Sequence, residues 1–178
     1  MSSILDNAIL VGKETTYGTP ATLTRAFEAQ ADTWKREQDA LESVGFRAGQ
    51  QTLRSDRRKQ INMGAAGDIE LDALTSGLGL LLDGVLGNTA GPTQIGATTA
   101  YTSTFTTTSD ASAVSYTIQK LISRNDGTLT PFTYHGAVVT DFEVTQDVGG
   151  FLVINFSFDS EDEDTSTSAG TPTYPATG

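Results

Sequence analysis

Apolar and polar residues alternate along several short stretches of this chain, and this two-residue period constrains the fold more than any other feature. The alternation is strict in Asp68–Asp72 and clear at the start of Val114–Ile122. Such a pattern is typical of half-buried β-strands, whose side chains point to opposite faces in turn. Turn sequences follow at Asn125–Gly127 and Gly149–Gly150. A chain of 178 residues can form one domain with a sizeable core, so the sequence predicts a mainly β domain.

The same signals predict where the strands lie: residues 9–11, 22–27, 68–72, 101–105, 114–122, 131–134, 136–144 and 151–158. One α-helix is predicted over about residues 73–86. Its apolar residues recur on one helical face, and they are Leu74, Leu78, Leu81, Leu82 and Val85. Thr75 or Ser76 is expected to cap its start, and Gly87 is well placed to end it.

Four segments have a different character. Residues 1–8 are expected to form an N-terminal arm, residues 88–100 a Gly- and Thr-rich surface loop, and residues 159–178 an acidic, Ser/Thr/Pro-rich tail or linker. The tail follows a domain of residues 1–158. Residues 28–62 are ambiguous: Ala29–Leu41 is rich in helix formers, but its only large apolar residues, Trp34 and Leu41, would make a poor amphipathic helix.

The residue inventory argues against catalysis and against metal or cofactor binding. The chain has no Cys and a single His, His135, which argues against disulfides, thiolate or histidine metal sites and a Ser-His-Asp triad. The acidic pairs Asp68/Glu70 and Asp141/Glu143 are interpreted as solvated strand faces, because glycosidase carboxylates face each other across a cleft. No Gly-rich phosphate loop is present. The chain is therefore predicted not to be an enzyme.

The charge of the chain is strongly acidic and unevenly distributed. Its net charge is -11, and residues 1–90 contain 9 basic and 12 acidic residues, whereas residues 91–178 contain 2 and 10. Proteins that bind nucleic acid carry basic patches instead. A high net charge also keeps a protein soluble, so solubility stays open as an explanation of the acidic composition.

A series of short sequence segments resembles the tail tube (major tail) proteins of bacteriophages with long, non-contractile tails. The resemblance rests on the order and spacing of these segments, and covers nearly the whole chain. The segments are Val11–Thr22, Thr24–Arg25, Glu28, Glu42–Gly49, Ser55–Arg58, Gly67–Leu71, Gly77–Leu81, Leu86–Gly87 and Tyr134–Val138.

This resemblance implies an antiparallel β-sandwich or barrel with one flanking helix and a long, protruding β-hairpin over about residues 28–62. The hairpins of a ring of subunits, implied to be hexameric, would merge into an inner β-barrel, and an acidic lumen would repel DNA phosphates. Polar hairpin residues are then candidates for the subunit interface or the lumen. They are Glu28, Asp32, Lys35, Arg36, Glu37, Asp39, Glu42, Arg47, Arg54, Asp56, Arg57, Arg58 and Lys59.

The resemblance also implies a role and partners. Stacked rings would form a hollow conduit in the virion tail, through which double-stranded DNA passes without specific binding. Implied partners are further copies of the chain and the tape-measure, tail terminator and baseplate or tip proteins. The N-terminus shows no secretory signal and no apolar run is long enough to span a membrane, so synthesis in the host cytoplasm is expected.

Two alternatives stay open. The chain could form the tube of a contractile tail or of a phage-derived injection device, or it could be an acidic β-sandwich binding module. Similar tail tube proteins often continue past this point with further strands, so a short form or part of a longer product is expected.

Overall fold

The computed structural model describes residues 7–43, 45, 48–49, 55–73, 77–87, 89–107 and 114–174. These residues form eleven strands and one α-helix. The strands are β1 (Ala8–Lys13), β2 (Arg25–Phe27), β3 (Ala29–Asp32), β4 (Lys35–Glu42), β5 (Arg58–Asp72), β6 (Thr89–Gln94), β7 (Tyr101–Phe105), β8 (Tyr116–Ser123), β9 (Leu129–Gln146), β10 (Leu152–Ser160) and β11 (Asp162–Asp164), and the helix is α1 (Leu78–Leu86). The predicted mainly β fold with one helix is confirmed.

Nine of the strands form one continuous antiparallel sheet. The long strand β9 takes part in both halves of it, and we call these halves sheet I and sheet II. In sheet I, β8 pairs with β1 and with residues 129–137 of β9, β2 extends the far edge, and β11 pairs with β9 on its other side. In sheet II, residues 138–146 of β9 pair with β10, β10 pairs with β5, and β5 pairs with both β3 and β4. The strand predicted from residues 131–134 and 136–144 is therefore confirmed as one continuous strand, which is longer at both ends.

The passage of β9 from sheet I to sheet II occurs beside Gly136, whose φ is 64°. This left-handed conformation favours glycine. The buried carboxylate of Glu14 accepts hydrogen bonds here from the Gly136 amide (2.9 Å), the Gly18 amide (2.9 Å) and the hydroxyls of Ser115 (2.7 Å) and Thr117 (2.9 Å). Because four donors share one buried carboxylate, this network fixes the loop after β1 against the point where β9 changes sheets.

The core fills the space between the two sheets. Its aromatic centre is Trp34, whose ring stacks on Tyr134 at a centroid distance of 4.6 Å and lies 5.6 Å from Phe158. Other buried residues come from both sheets and from α1: Ile9, Val11, Phe27, Ile69, Leu71, Leu81, Tyr116, Ile118, Ile154 and Phe156. On β5 and β10 the buried residues alternate with less buried ones, as the sequence pattern predicted.

The helix is shorter than predicted. Asp72 still belongs to β5, and the Ala73 amide donates to the Leu152 carbonyl at 2.8 Å, so strand pairing continues where the helix was expected to start. The N-cap is Gly77, with φ 98° and no side-chain cap, and not the predicted Thr75 or Ser76, which lie outside the described residues. The predicted end is confirmed, because Gly87 has φ 79° and its amide donates to the Asp83 carbonyl.

Within the ambiguous range 28–62, the described residues form β3, β4 and the start of β5, so the helical interpretation of Ala29–Leu41 is wrong and the predicted hairpin is confirmed. Pairing runs from Lys35 with Ala66 to Glu42 with Arg58. The returning strand does not stop at Asn62, because β5 continues to Asp72 as the centre of sheet II. The cross-strand bonds and the burial of Trp34 override the helix propensity of Ala29–Leu41.

The prediction of a loop over residues 88–100 is wrong for its first half. Residues 89–94 form β6, which pairs with β7 as a separate two-stranded sheet. The register shifts between Ala90 and Thr93, so Pro92 lies at an irregularity where its missing N–H is tolerated. Residues 95–100 form the exposed connection.

The prediction of a tail or linker after Phe158 is also wrong for the described part, residues 159–174. Strand β10 reaches Ser160, and β11 then pairs with His135, Tyr134 and Thr133 of β9. Beyond β11, the buried side chain of Gln119 accepts from the Gly170 amide at 2.7 Å and donates to the Ser168 carbonyl at 3.1 Å. The composition of this segment did not reveal its order, because sheet pairing and the Gln119 side chain satisfy its backbone hydrogen-bonding groups. Of the predicted arm, residues 1–6 lie outside the described residues and Ala8 belongs to β1.

Two glycines of β5 offer a matched test of packing at the aromatic centre. A Cβ at Gly67 would lie 2.5 Å from the Cα and 2.6 Å from the Cγ of Trp34, whereas a Cβ at Gly64 would lie 3.5 Å from its nearest neighbour, the Ser160 carbonyl oxygen. We expect Gly67→Ala to lower the free energy of unfolding by about 2 kcal/mol through overpacking and Gly64→Ala to leave it nearly unchanged, both measured by urea denaturation. Equal effects would contradict the packing described for Trp34.

Candidate assembly surface

Sheet II has two faces of opposite character. In an antiparallel sheet, residues directly opposite each other point to the same face. Ile69, Leu71 and their partners on β10 face the core, so we call this side the core face. The intervening residues of β5, together with their partners on β4, β10 and β9, point away from the core and form the open face.

The open face is densely acidic. Among the described residues paired in sheet II, up to the register shift between Asp39 and Ala40, it carries eight carboxylates and one basic group, and none of these side chains is buried. The carboxylates are those of Glu37, Asp39, Asp68, Glu70, Asp72, Asp141, Glu143 and Asp159, and the basic group is Lys35. The face therefore repels polyanions and attracts counter-ions.

Six of these carboxylates are not among the residues predicted from the sequence for the subunit interface or lumen: Asp68, Glu70, Asp72, Asp141, Glu143 and Asp159. The register explains how they come together, because Asn155 of β10 lies between Glu70 and Glu143, and Ser157 lies between Asp68 and Asp141. The sequence carried the signal as acidic residues at i and i+2 on strands. It did not show that β10 brings the two pairs onto one face.

The β4–β5 hairpin, in which Lys35–Glu42 pairs with residues 58–66, extends the open face beyond the domain. Three predicted candidates point to this face, Lys35, Glu37 and Asp39, whereas Glu42 and Arg58 pair with each other beyond the register shift between Asp39 and Ala40. Arg58 Nε lies 3.3 Å from Glu42 Oε1 and Lys35 Nζ lies 3.4 Å from Glu37 Oε1. Because these groups are exposed, the pairs contribute little to folding stability and leave the hairpin free to meet a partner.

The other predicted candidates are distributed differently. Arg36 points to the core face and lies 3.5 Å from Asp162 of β11. Lys59 is exposed beyond the register shift, opposite Leu41. Asp56 and Arg57 form the turn before β5, where Arg57 donates to the Gly45 carbonyl at 3.0 Å. Glu28 is exposed between β2 and β3. Arg47 and Arg54 lie outside the described residues.

Asp32 has surroundings unlike those of the other candidates. It faces the core side opposite Ile69 and forms an ion pair with Lys120 of β8, which links sheet II to sheet I. Burial raises the pKa of the neighbouring Tyr134, and its hydrogen bond to Glu163 and the charges of Glu163 and Asp32 raise it further. Asp32 is thus part of the intramolecular contact between the sheets.

Sheet II ends in two unpaired edges within the described residues. At one edge, β4 pairs only with β5, and at the other, residues 138–146 of β9 pair only with β10. Exposed strand edges present unpaired N–H and C=O groups that can pair with another chain. The strands β9, β10, β5 and β4 alternate in direction, so β4 of one copy would meet β9 of another in antiparallel orientation.

Comparisons with known proteins give a consistent identification. A sequence model of a family described as phage tail tube protein matches residues 5–178. Comparison with curated proteins gave no match. In the part of the chain that the structure describes, no helix has the length and apolar character needed to cross a membrane.

Two solved structures share the fold at low sequence identity. The SPP1 tail tube has a TM-score of 0.51 and 12% identity, over 89% of this chain and 74% of the SPP1 chain. The sheath–tube complex of an extracellular contractile injection system, PVC, in its extended state has a TM-score of 0.53 and 10% identity, over 91% of this chain and 88% of the other.

The contrast between Asp32 and Asp39 can be tested in the isolated protein. Asp32→Asn leaves the ammonium group of Lys120 without its anion in a mostly buried contact, so we expect a loss of about 2 kcal/mol in the free energy of unfolding. Asp39→Asn, on the exposed hairpin, is expected to change it negligibly. Thermal and urea denaturation of both variants would check this. An unchanged free energy of unfolding for Asp32→Asn would show that the ion pair does not stabilise the fold.

Proposed function

The chain belongs to the family of phage tail tube proteins, as its sequence resemblance predicted, and on this premise we propose how it builds the tube. It is a structural tube subunit of the virion tail. We propose that subunits join edge to edge, with the edge formed by β3 and β4 of one copy against residues 138–146 of β9 in the next. The two unpaired edges of sheet II carry this proposal.

Edge-to-edge joining favours a closed ring. Each copy adds the alternating strands β9, β10, β5 and β4, so every junction is antiparallel whatever the number of subunits. Closure into a barrel removes both exposed edges. We infer hexameric rings from the resemblance to tail tube proteins, and these rings would stack into the tube.

The acidic open face would then line the lumen. Double-stranded DNA carries one negative charge for roughly each 1.7 Å of its axis. A wall with at least eight carboxylates and one basic group among the described residues of each subunit would repel the phosphates and let DNA pass without binding. Lys35, Glu37 and Asp39 of the predicted candidates belong to this wall, and the prediction of an acidic lumen gains its support from it.

The remaining inferences follow from the same role. We infer that the subunit has no catalytic activity, because its carboxylates are spread over an open face and do not meet across a cleft. The tape-measure protein would occupy the lumen before DNA, with the terminator and baseplate or tip proteins at the two ends of the tube. Synthesis would take place in the host cytoplasm.

A second candidate is the tube of a contractile tail or injection device, which a sheath would surround. The fold similarity to the PVC sheath–tube complex favours keeping this candidate. Both candidates share the ring and the lumen. The acidic binding module is set aside, because the family match covers nearly the whole chain and describes a tube protein.

Electron microscopy of the purified chain tests the ring. We expect negative-stain images at high protein concentration to show rings or hollow tubes, and class averages with six-fold symmetry. A chain that stays monomeric at all concentrations would contradict the proposed junction. Rings of another symmetry would contradict only the hexamer.

A charge reversal tests the lumen. We expect tubes of Glu143→Lys to protect a larger fraction of short double-stranded DNA from nuclease at low salt than unaltered tubes do, because the reversal weakens the repulsion by the acidic wall. Asp126→Lys makes the same change of charge in the exposed turn between β8 and β9, outside sheet II, and its tubes should leave DNA open to the nuclease. Equal protection by the two variants would show that the open face of sheet II does not line the channel.

A further inference from the structure

The turn between β9 and β10 presents apolar side chains that the described part of the chain leaves uncovered. Val148 is fully exposed at its tip, and Phe151 is 82% exposed. The backbone of the turn is tight, because the Gly150 amide donates to the Asp147 carbonyl at 3.0 Å and Gly149 has φ 83°. Large apolar side chains held together in water are typical of an interaction surface.

Phe151 borders a shallow pocket of about 210 Å³ on the open face of sheet II. Val153 contributes to the apolar wall of this pocket, and Asp72 and Asp147 contribute carboxyl groups. Lys and Arg combine an aliphatic stem, which packs on apolar surface, with a positive head group that pairs with carboxylates. The pocket therefore fits a basic side chain better than an acidic or a purely apolar one.

The two ends of sheet II differ in charge. We call the end with the pocket the turn end, and its residues are 28–30, 71–73 and 145–153. It has three acidic residues, Glu28, Asp72 and Asp147, and no basic one. The opposite end, which we call the hairpin end, is formed by the sequence 41–61, with five basic and two acidic residues. Arg58 and Lys59 are exposed there.

The proposed barrel places these two ends at opposite rims of each ring. The strands of a barrel run from rim to rim, tilted by about 35–45° from its axis. Strand β5 is 15 residues long, so Arg58 and Asp72 at its two ends are separated by about 45 Å along the strand. Every subunit would therefore present its hairpin end at one rim and its turn end at the other.

Stacking of rings in one direction brings unlike ends together. When all rings point the same way, the basic hairpin end of one ring meets the acidic turn end of the next. When alternate rings are inverted, turn ends meet turn ends, which places carboxylates against each other. Charge complementarity therefore favours the uniform direction, and it identifies the hairpin of another copy of the chain as the partner of the pocket.

We propose that the pocket beside Phe151 binds the β4–β5 hairpin of a copy in the next ring. A basic side chain of the segment Arg57–Lys59 enters between Asp72 and Asp147. Leu41 and Ile61, which are exposed near the hairpin end, supply aliphatic surface for Phe151 and Val148. The proposal rests on the proposed ring and supplies the contact that joins one ring to the next.

A charge reversal and its compensation test the partner. Asp147→Lys places a positive charge at the pocket, so rings should form but fail to stack into tubes in negative-stain images. The addition of Lys59→Glu supplies the opposite charge on the hairpin and should restore the tubes. The matched control Asp141→Lys makes the same change on the open face of β9, away from the turn end, and its rings should stack like the unaltered ones.

A second measurement tests the apolar part of the contact. Phe151→Ser should raise the protein concentration at which rings stack roughly tenfold, because the loss of apolar contact weakens every junction between rings. Phe151→Leu keeps an apolar side chain and should stay close to the unaltered protein. Because Phe151 is exposed in the single chain, the urea midpoint of the monomer should be the same for both variants. Normal stacking of Phe151→Ser would overturn the apolar contact.

Thiol cross-linking locates the contact without background, because the chain has no Cys. Gln60→Cys/Gly150→Cys keeps the charged and apolar groups of the contact, and a Cβ at Gly150 would lie 3.5 Å from its nearest neighbours. A short bis-maleimide should give covalent multimers larger than one ring, since the links run along the tube. Neither single variant should give multimers, because equivalent residues of neighbouring subunits in a ring are four strands, about 19 Å, apart.

The outcomes separate this contact from the ring. Stacking that is lost in Asp147→Lys and restored by Lys59→Glu, with multimers larger than one ring, supports the proposal. Normal stacking of Asp147→Lys, a double variant that stays unstacked, or multimers that end at the ring size overturn it and leave the ring intact. Dimers from Gly150→Cys alone would show that turn ends meet turn ends, which also overturns it. If the unaltered chain forms no rings, the proposed ring fails, and this contact fails with it.

Discussion

The two-residue side-chain period of strand β5 is the constraint on which the rest of the structure depends. This strand runs unbroken for 15 residues and pairs with β10 on one side and with β3 and β4 on the other. Ile69 and Leu71 on one face contribute to the core, and Asp68 and Glu70 on the other face belong to the acidic surface. A slip of one residue would exchange the two faces, so the core and the proposed channel wall are specified together.

The length of β5 has a second consequence, because the strand outlasts the core that it helps to form. Between Ala65 and Leu71 the core face of β5 is buried, whereas between Arg58 and Met63 both faces of the strand are exposed. The hairpin of β4 and β5 therefore projects from the domain, with Leu41, Ile61 and Met63 exposed among charged residues. A protruding two-stranded ribbon has limited stability by itself, and a second subunit that pairs with its edge would supply what is missing.

Electrostatics and assembly oppose each other in such a tube. Bringing acidic faces together in a ring raises the repulsion among carboxylates, and at physiological ionic strength mobile ions screen it over about 8 Å. Edge hydrogen bonds and apolar burial on the core face must outweigh what remains. This balance gives a physical reason for the two faces of sheet II: carboxylates on the open face and apolar side chains on the core face.

The sequence by itself determined the elements whose signals are local. Alternation and turn residues predicted most strands, the Leu pattern predicted α1, and Gly87 marked its end. The resemblance predicted the hairpin, against the helix propensity of Ala29–Leu41. Local signals failed where distant partners decide the outcome: Asp162–Asp164 and Gly170 look like a polar tail, but β9 and Gln119 satisfy their backbone groups.

Only the tertiary structure decided which side chains share a surface. The acidic residues of β5 and β9 were visible in the sequence as separate pairs. The register of β10, which lies between these two strands, places both pairs on the same face of the sheet. In the same way, Asp32 and Asp39 look equivalent in the sequence, but Asp32 pairs with Lys120 inside the domain and Asp39 faces outwards on the hairpin. The reason is physical: a strand pattern fixes that neighbouring residues face opposite ways, but only pairing between distant strands fixes which face is buried.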